Sequence, residues 1–248
     1  NGTRSEWALM SYMGRANYTF DNRYMLTATV RRDGSSRFGP KHRWGTFPSV
    51  SAAWRISNEE FFSKKSPVND LKLRLGYGRT GSQASVSDLS YLPTLNTLLY
   101  PFGTIGDNQS ALVAQSLANP YIHWETIEQF NAGVDISLLN SRINLSLDGY
   151  IKNTHDMLVK ASVPITSGFE DTMASYSNAG KMRNLGWELS ANSINIDTEL
   201  TWETNLVLTF NHNRIKSLNS DTPEFINQVN NSYVTMLDRD YPVNVFYG

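Results

Sequence analysis

The stretch LKLRLGYGRTG, residues 71–81, carries two signals that point to different proteins. Gly76, Gly78 and Gly81 stand at the spacing G-x-G-x-x-G directly after a strand-like run, which is the dinucleotide-binding fingerprint. That fingerprint needs a helix whose N-terminus takes the pyrophosphate, and an acidic residue about 20 positions on for the ribose. Here the glycines run into SQASVSDLSYLP, and no acidic residue lies between Asp88 and Asp107. A strand of the nucleotide-binding fold is also apolar on both faces, whereas Leu71, Leu73, Leu75 and Tyr77 alternate with Lys72, Arg74, Gly76 and Gly78. The alternation decides the reading: a strand with one apolar and one polar face, and no nucleotide cofactor.

The same period of two recurs along the chain. In the first segment Ala8, Met10, Tyr12, Gly14, Ala16, Tyr18 and Phe20 oppose Ser11, Arg15, Asn17 and Thr19. Further on, Phe130, Ala132, Val134, Ile136 and Leu138 oppose Gln129, Asn131, Asp135 and Ser137, and Leu145, Leu147 and Ile151 oppose Ser146, Asp148 and Lys152. Eight antiparallel strands are expected, near 6–20, 24–32, 44–56, 71–80, 123–138, 142–154, 178–194 and 199–213. The connections alternate too. Those at 21–23, 57–70, 139–141 and 195–199 are short or moderate, whereas 33–43, 81–122, 155–177 and 214–241 are long and rich in Gly, Ser and Asn.

A soluble β-sandwich or barrel that binds or hydrolyses carbohydrate would show the same two-faced strands. It has no reason to place every long loop at one end. A transmembrane antiparallel β-barrel does, with short periplasmic turns and long extracellular loops. Tyr18, Phe20, Tyr24, Trp54 and Trp202 fall beside the short turns, as an interfacial aromatic girdle would. The chain has 248 residues, 40% of them hydrophobic, no cysteine and a formal charge of −1. That charge offers no electrostatic footprint for nucleic acid, and the absence of cysteine removes disulfides and thiolate zinc sites. No apolar run approaches the about 20 residues of a membrane helix, which leaves strand spanning open.

The region NYTFDNRYMLTATVRRDGSSRFGPKHRWGTFPSVSAAWRISNEEFF (17–62) resembles the signature region of SusC/RagA-type TonB-linked outer-membrane proteins. The resemblance continues through NDLKLRLGYGRTGSQ (69–83), NPYIHWETIEQFNAGVDISLLNSRINLSLDGYIKNTHDML (119–158) and SNAGKMRNLGWELSAN (177–192), in the family's order. It implies a barrel of about 22 strands with a plugged lumen, of which this chain would supply about eight. It further implies import of an oligosaccharide or peptide oligomer across the outer membrane, a SusD-like surface lipoprotein as lid, and the TonB complex acting through a plug. No plug, TonB box or terminal aromatic-ended strand is found in the sequence, so an internal piece of the barrel domain is expected. The first and last strands should then not pair with each other.

Other motifs are weaker. DGSSRFG (33–39) lacks the further carboxylates of a calcium loop and is expected to be a structural hairpin with Asp33 paired to Arg37. SNEEFF (57–62) suits a capped helical turn. Glu125 with Glu128, and Glu170 with Asp171, have no supporting nucleophile or base, so no catalytic residue is assigned. His42, His123, His155 and His212 share no ligand spacing, so no metal is assigned either. The inward charges Arg15, Arg31, Arg55, Arg74, Asp135, Asp148, Lys152, Glu188 and Glu203 either line a transport path or hydrate the lumen and hold the plug. Tyr91, Tyr100, Phe102, Tyr121, Phe169 and Tyr176 lie in the long loops, where they either stack on a substrate or pack the loops together.

Overall fold

The computed structural model describes residues 6–63, 66–88, 90–101, 108–161, 166, 175–218, 224–229, 232–243 and 245–246. It contains thirteen strands: β1 (Leu9–Phe20), β2 (Tyr24–Ser35), β3 (Trp44–Arg55), β4 (Val68–Ser82), β5 (Thr94–Pro101), β6 (Asn108–Ser116), β7 (Glu125–Leu138), β8 (Ile143–Ala161), β9 (Ser175–Asp197), β10 (Thr201–Ser217), β11 (Glu224–Val229), β12 (Ser232–Leu237) and β13 (Val245–Phe246). Eight of them form one antiparallel sheet in the order β1-β2-β3-β4-β7-β8-β9-β10. The sheet is open among the described residues, and β1 and β10 are its two edges. All eight strands inferred from the period of two are present.

The register carries facing from strand to strand. Tyr24 sits opposite Trp54, which sits opposite Leu73; Leu73 meets Val134, Val134 meets Leu147, Leu147 meets Leu189, and Leu189 meets Leu208. Side chains on neighbouring strands share a face when their residues are paired. One continuous apolar band therefore crosses the whole sheet. The other face carries Ser51 opposite Gly76, Gly76 opposite Asn131 and Asp148 opposite Glu188, interrupted by Met25, Ala53 and Val207. Leu26, Val50, Leu75, Leu147 and Phe210 in the band are all exposed, and none of the described residues forms a second layer over them. A sandwich would have covered that face.

Aromatic pairs mark both margins of the band. At the short-turn end Phe20, Tyr24 and Trp54 stack with ring centroids 6.5 and 6.4 Å apart. At the other end Tyr12 stacks on Trp44 at 5.9 Å, and Trp187 on Phe210 at 6.3 Å. Along β3, Trp44 to Trp54 spans about 33 Å at the usual rise per residue. Tilted as barrel strands are, that is about 25 Å of vertical height, the thickness of an outer-membrane apolar band.

The short connections are tight. In the three-residue β1–β2 turn Asp21 and Asn22 take φ of 48° and 51°, a left-handed geometry that these residue types tolerate, and the Arg23 N–H donates to the Phe20 carbonyl at 2.9 Å. Leu139, Asn140 and Ser141 turn the β7–β8 hairpin in the same region. Some boundaries differ from expectation. The last hairpin turns at 198–200, the far end of the expected 195–199 connection, with a bulge at Trp202/Glu203. The long-loop ends of β2, β8, β9 and β10 run three to seven residues further than the alternation indicates, because hydrogen bonding continues above the level where lipid contact stops.

The long connections also hold structure of their own. The segment between β4 and β7 folds out as a separate β5–β6 hairpin, while β4 pairs directly with β7. A three-stranded sheet, β11-β12-β13, follows β10. Tertiary pairing of short, irregularly patterned segments overrides what their sequence shows.

The glycines of residues 76–81 serve packing. A Cβ on Gly76 would lie 2.6 Å from the Asn131 Oδ1 of the neighbouring strand, and one on Gly81 would overlap the Phe47 ring. Gly45 makes room for the same ring from the other side, and Trp124 meets it edge-on at 5.6 Å. Gly81→Ala is therefore expected to cost about 1–3 kcal/mol through overpacking. A lower unfolding midpoint in detergent, partly restored by adding Phe47→Leu, would support this; an unchanged midpoint would show that the ring has room to move.

Candidate functional site

Two features stand above the plain wall. The first is a charge cluster on the polar face, where β4, β7 and β8 run side by side. Alternation puts Lys72 and Arg74 on the same face of β4, Asp135 opposite Lys72 on β7, and Ser146 and Asp148 on β8. The Arg74 guanidinium donates from Nε to Asp135 Oδ2 at 2.9 Å and from Nη2 to Asp135 Oδ1 at 2.8 Å. Nη2 also reaches Ser146 Oγ at 3.1 Å and Asp148 Oδ2 at 2.9 Å. Lys72 Nζ closes on Asp135 Oδ2 at 2.9 Å, and the Ser146 hydroxyl lies within hydrogen-bond reach of both carboxylates. Each of the charged side chains keeps about a third of its surface open. The cluster presents fixed, mutually paired charge to water, which suits it to polar contact.

Other inward charges are also engaged. Arg15 donates to Thr29 Oγ1 at 3.2 Å, Arg55 pairs with Asp70 at 3.3 Å, and Arg31 pairs with Asp33 at 2.7 Å. The last contact corrects the expected Asp33–Arg37 pair. Arg31 is two residues from Asp33 on one strand and shares its face, whereas Arg37 lies past the end of β2 and pairs with Asp88 at 2.8 Å. Arg37 also lies over the Trp7 ring at 4.5 Å, so it ties the β2–β3 loop to both the N-terminal segment and the loop after β4.

The second feature is a small apolar core at the long-loop end. Phe38, Phe47, Val86, Ile122, Trp124 and Leu158 are buried together, drawn from the loops around β2 to β4 and the starts or ends of β3, β7 and β8. The Trp124 indole N–H donates to the Arg43 carbonyl at 2.9 Å, and Asn178 Nδ2 donates to the carbonyls of His123 and Asp156 at 2.9 Å each. This core knits the rim. Beside it is a cleft of about 520 Å³ lined by Lys41, His42, Trp44, Arg79, His123 and Asp156, among others.

The loop aromatics divide. Tyr176 packs against the rim core. Tyr121 is 73% exposed with its ring 6.3 Å from His42, which in turn is 6.0 Å from His123. Tyr91 is half-buried in the turn before β5, and Tyr100 lies in β5 opposite Gln109, its side chain outside the described residues. Phe102, Phe169, Glu170 and Asp171 also lie outside the described residues. Glu125 and Glu128, three apart on one strand, point to opposite faces and form no pair. Among the described residues no three His, Asp or Glu side chains gather as a metal site would require.

At the short-turn end Glu59 acts as a latch. It accepts hydrogen bonds from the Tyr24 hydroxyl at 2.6 Å, the Trp54 indole N–H at 2.8 Å and Arg23 at 3.3 Å. These donors, the tyrosine first, hold its carboxyl below the usual range. Its contribution to stability is then complete above the unfolded value of about 4.3 and is lost as pH falls through the lower folded value. Glu59→Gln should melt below the parent protein at pH 7, and the gap should narrow as pH falls below the unfolded value of about 4.3 and close once it passes the lower folded value. A gap that stays constant through this range would show that the charge contributes nothing.

An open sheet with one apolar and one charged face, banded by aromatics and edged by long loops, is a segment of a membrane β-barrel wall. The chain belongs to the TonB-dependent receptor-like β-barrel family, whose model matches residues 1–247. It is 38% identical to the TonB-dependent receptor SusC of Bacteroides thetaiotaomicron over 252 residues, covering 96% of this chain and 25% of that protein. It is 32% identical to the TonB-dependent receptor P3 of Formosa agariphila, over 98% of this chain and 24% of that protein. Among solved structures it superposes on the RagAB peptide transporter with a TM-score of 0.84 at 28% identity, over 98% of this chain and 25% of that one. The chain thus spans about a quarter of the length of the relatives it matches.

Proposed function

We propose that this chain forms part of the wall and extracellular rim of an outer-membrane importer energised through TonB. Its cargo on this reading is a hydrophilic oligomer, a glycan or a peptide, and its residues supply a path rather than catalysis. The observation that carries the proposal is the charged lumen face behind an unbroken apolar band, since only a water-filled pore gives such a face a solvent. The family's relatives add the energy source, and the likeness to a peptide transporter supports transport of an oligomer. A SusD-like surface lipoprotein would close over the long-loop end, and the TonB complex would act through a plug inside the complete barrel.

The β5–β6 hairpin tests the capture role. It hydrogen-bonds as its own two-stranded sheet and contributes nothing to the eight-stranded wall. Val86 and Ile122, which flank it, belong to the rim core and must be kept. Excising 94–116 from the full-length protein is expected to leave the barrel inserted while abolishing uptake or lid docking. Uptake at the parental rate would remove the hairpin from capture. Uptake that persists in cells lacking TonB would overturn the active-transport reading itself.

A further inference from the structure

Above the apolar band, β9 and β10 carry cations on the face that should meet lipid. In β9 from Ser177 to Trp187 there is no acidic residue, and none in β10 from Phe210 to Ser217. Lys181 and Arg183 have the parity of Trp187, and Arg214 has that of Phe210, so all three point outward. Each is exposed. Arg183 and Arg214 are directly opposite one another in the register, with Cα atoms about 5 Å apart as such pairs are. Like charges so placed repel unless something anionic joins them.

The described residues supply little of that anion. Arg183 Nε donates to the neutral Asn153 amide at 2.8 Å, and no carboxylate among the described residues pairs with it. Arg214 shares Asp240, at 3.0 Å, with Arg239 at 4.0 Å. Other outward cations near the rim are better satisfied: Arg79 has Glu128 at 4.0 Å, and Arg32 lies over the Trp44 ring at 5.5 Å.

We propose that Arg183, Arg214 and Lys181 form a phosphate-binding patch on the outside of the wall, and that its ligand is the phosphorylated headgroup of an outer-leaflet lipid. The level is right, because the stacked Trp187–Phe210 pair directly below sits where acyl chains give way to headgroups. The chemistry is right, because two guanidinium forks side by side suit the oxygens of one phosphate. A solute in the lumen cannot be the ligand, since these side chains point away from it.

The inference rests on the outer-membrane reading above. Its test uses the full-length protein in detergent, titrated with fluorescent lipid A bearing two phosphates and with the same lipid stripped of phosphate. The parent is expected to prefer the phosphorylated lipid by about tenfold or more. R183A/R214A should lose that preference, and R183K/R214K should keep part of it, with charge retained but the fork gone. A parent without preference, or a double alanine variant that keeps it, would overturn the proposal. Competition by inorganic phosphate at the lipid's own concentration would also overturn it, by pointing to the free ion. Parallel fractionation and uptake assays separate the two readings. Failure of the parent to reach the outer membrane defeats both, whereas insertion and uptake without phosphate preference defeat the patch alone.

Discussion

Arg74→Met is expected to destabilise the barrel by about 2–3 kcal/mol, a large loss for a single side chain on a wetted face. The guanidinium makes four hydrogen bonds to Asp135, Ser146 and Asp148. Hydrogen bonds to charged groups contribute about 1.5–3 kcal/mol each in favourable settings, and they are not additive. Lys72 still covers Asp135 in the variant, so most of the loss falls on Asp148. Water reaches about a third of each side chain, which holds the effect below the about 3–5 kcal/mol of a fully buried pair. Neutralising the stranded carboxylate in R74M/D148N should recover at least half of the loss. The measurement is urea unfolding in detergent micelles for the parent and both variants. Equal midpoints for parent and R74M would mean that solvent alone satisfies the two aspartates.

Placing a cation in the middle of the apolar band should cost still more. Leu147 lies between Val134 and Leu189, well inside both aromatic margins. Leu147→Arg is expected to cost about 2–4 kcal/mol, the value for a basic side chain at the bilayer midplane, and to deplete folded protein from the outer membrane. Ser190→Arg makes the control. Ser190 pairs with Ser146 on the polar face, two residues along the register from Asp148 and Glu188, so a new cation there meets water and carboxylates. The pair of variants tests facing directly through folded protein recovered in the membrane fraction. Equal loss from both, or a greater loss from S190R, would reverse the assignment of the two faces.

The wall is legible in the sequence because two different solvents act on it at once. Leu71, Leu73, Leu75 and Tyr77 against Lys72, Arg74, Gly76 and Gly78 is a pattern that lipid on one side and water on the other impose residue by residue. Where that difference ends, legibility ends. The upper parts of β8 and β9 are hydrogen-bonded strands that rise past the apolar band, so alternation fades before the ladder does. TLNTLLYP in β5 has no clean period and was invisible as a strand. The charge cluster was half visible. The inward facing of Arg74, Asp135 and Asp148 follows from parity alone, yet their meeting depends on β4 lying beside β7, across a 42-residue excursion whose ends the sequence does not tie together. Arg37 with Asp88 and the six-residue rim core are joined across loops in the same way. Asp33 with Arg31, by contrast, is a period-two neighbour that the alternation itself could have flagged.

The register itself has an evolutionary consequence. Across β1 to β4 the pairing between neighbours runs without a bulge from end to end, and elsewhere in the wall the shifts lie toward the strand ends, at Val68/Asp70, Thr154/Met157, Met157/Leu158, Trp202/Glu203 and Ile215/Ser217. The wall therefore behaves like coding sequence with a frame of two. Gain or loss of one residue within a span turns every later side chain of that strand from lipid to water. A change of two residues preserves the frame, and a change of any length in the loops leaves it untouched. Length variation among related chains should accordingly gather in the connections after β2, β4, β8 and β10, the ends that face the outside world. The same rule that holds the wall to its frame leaves the outer loops free to change length.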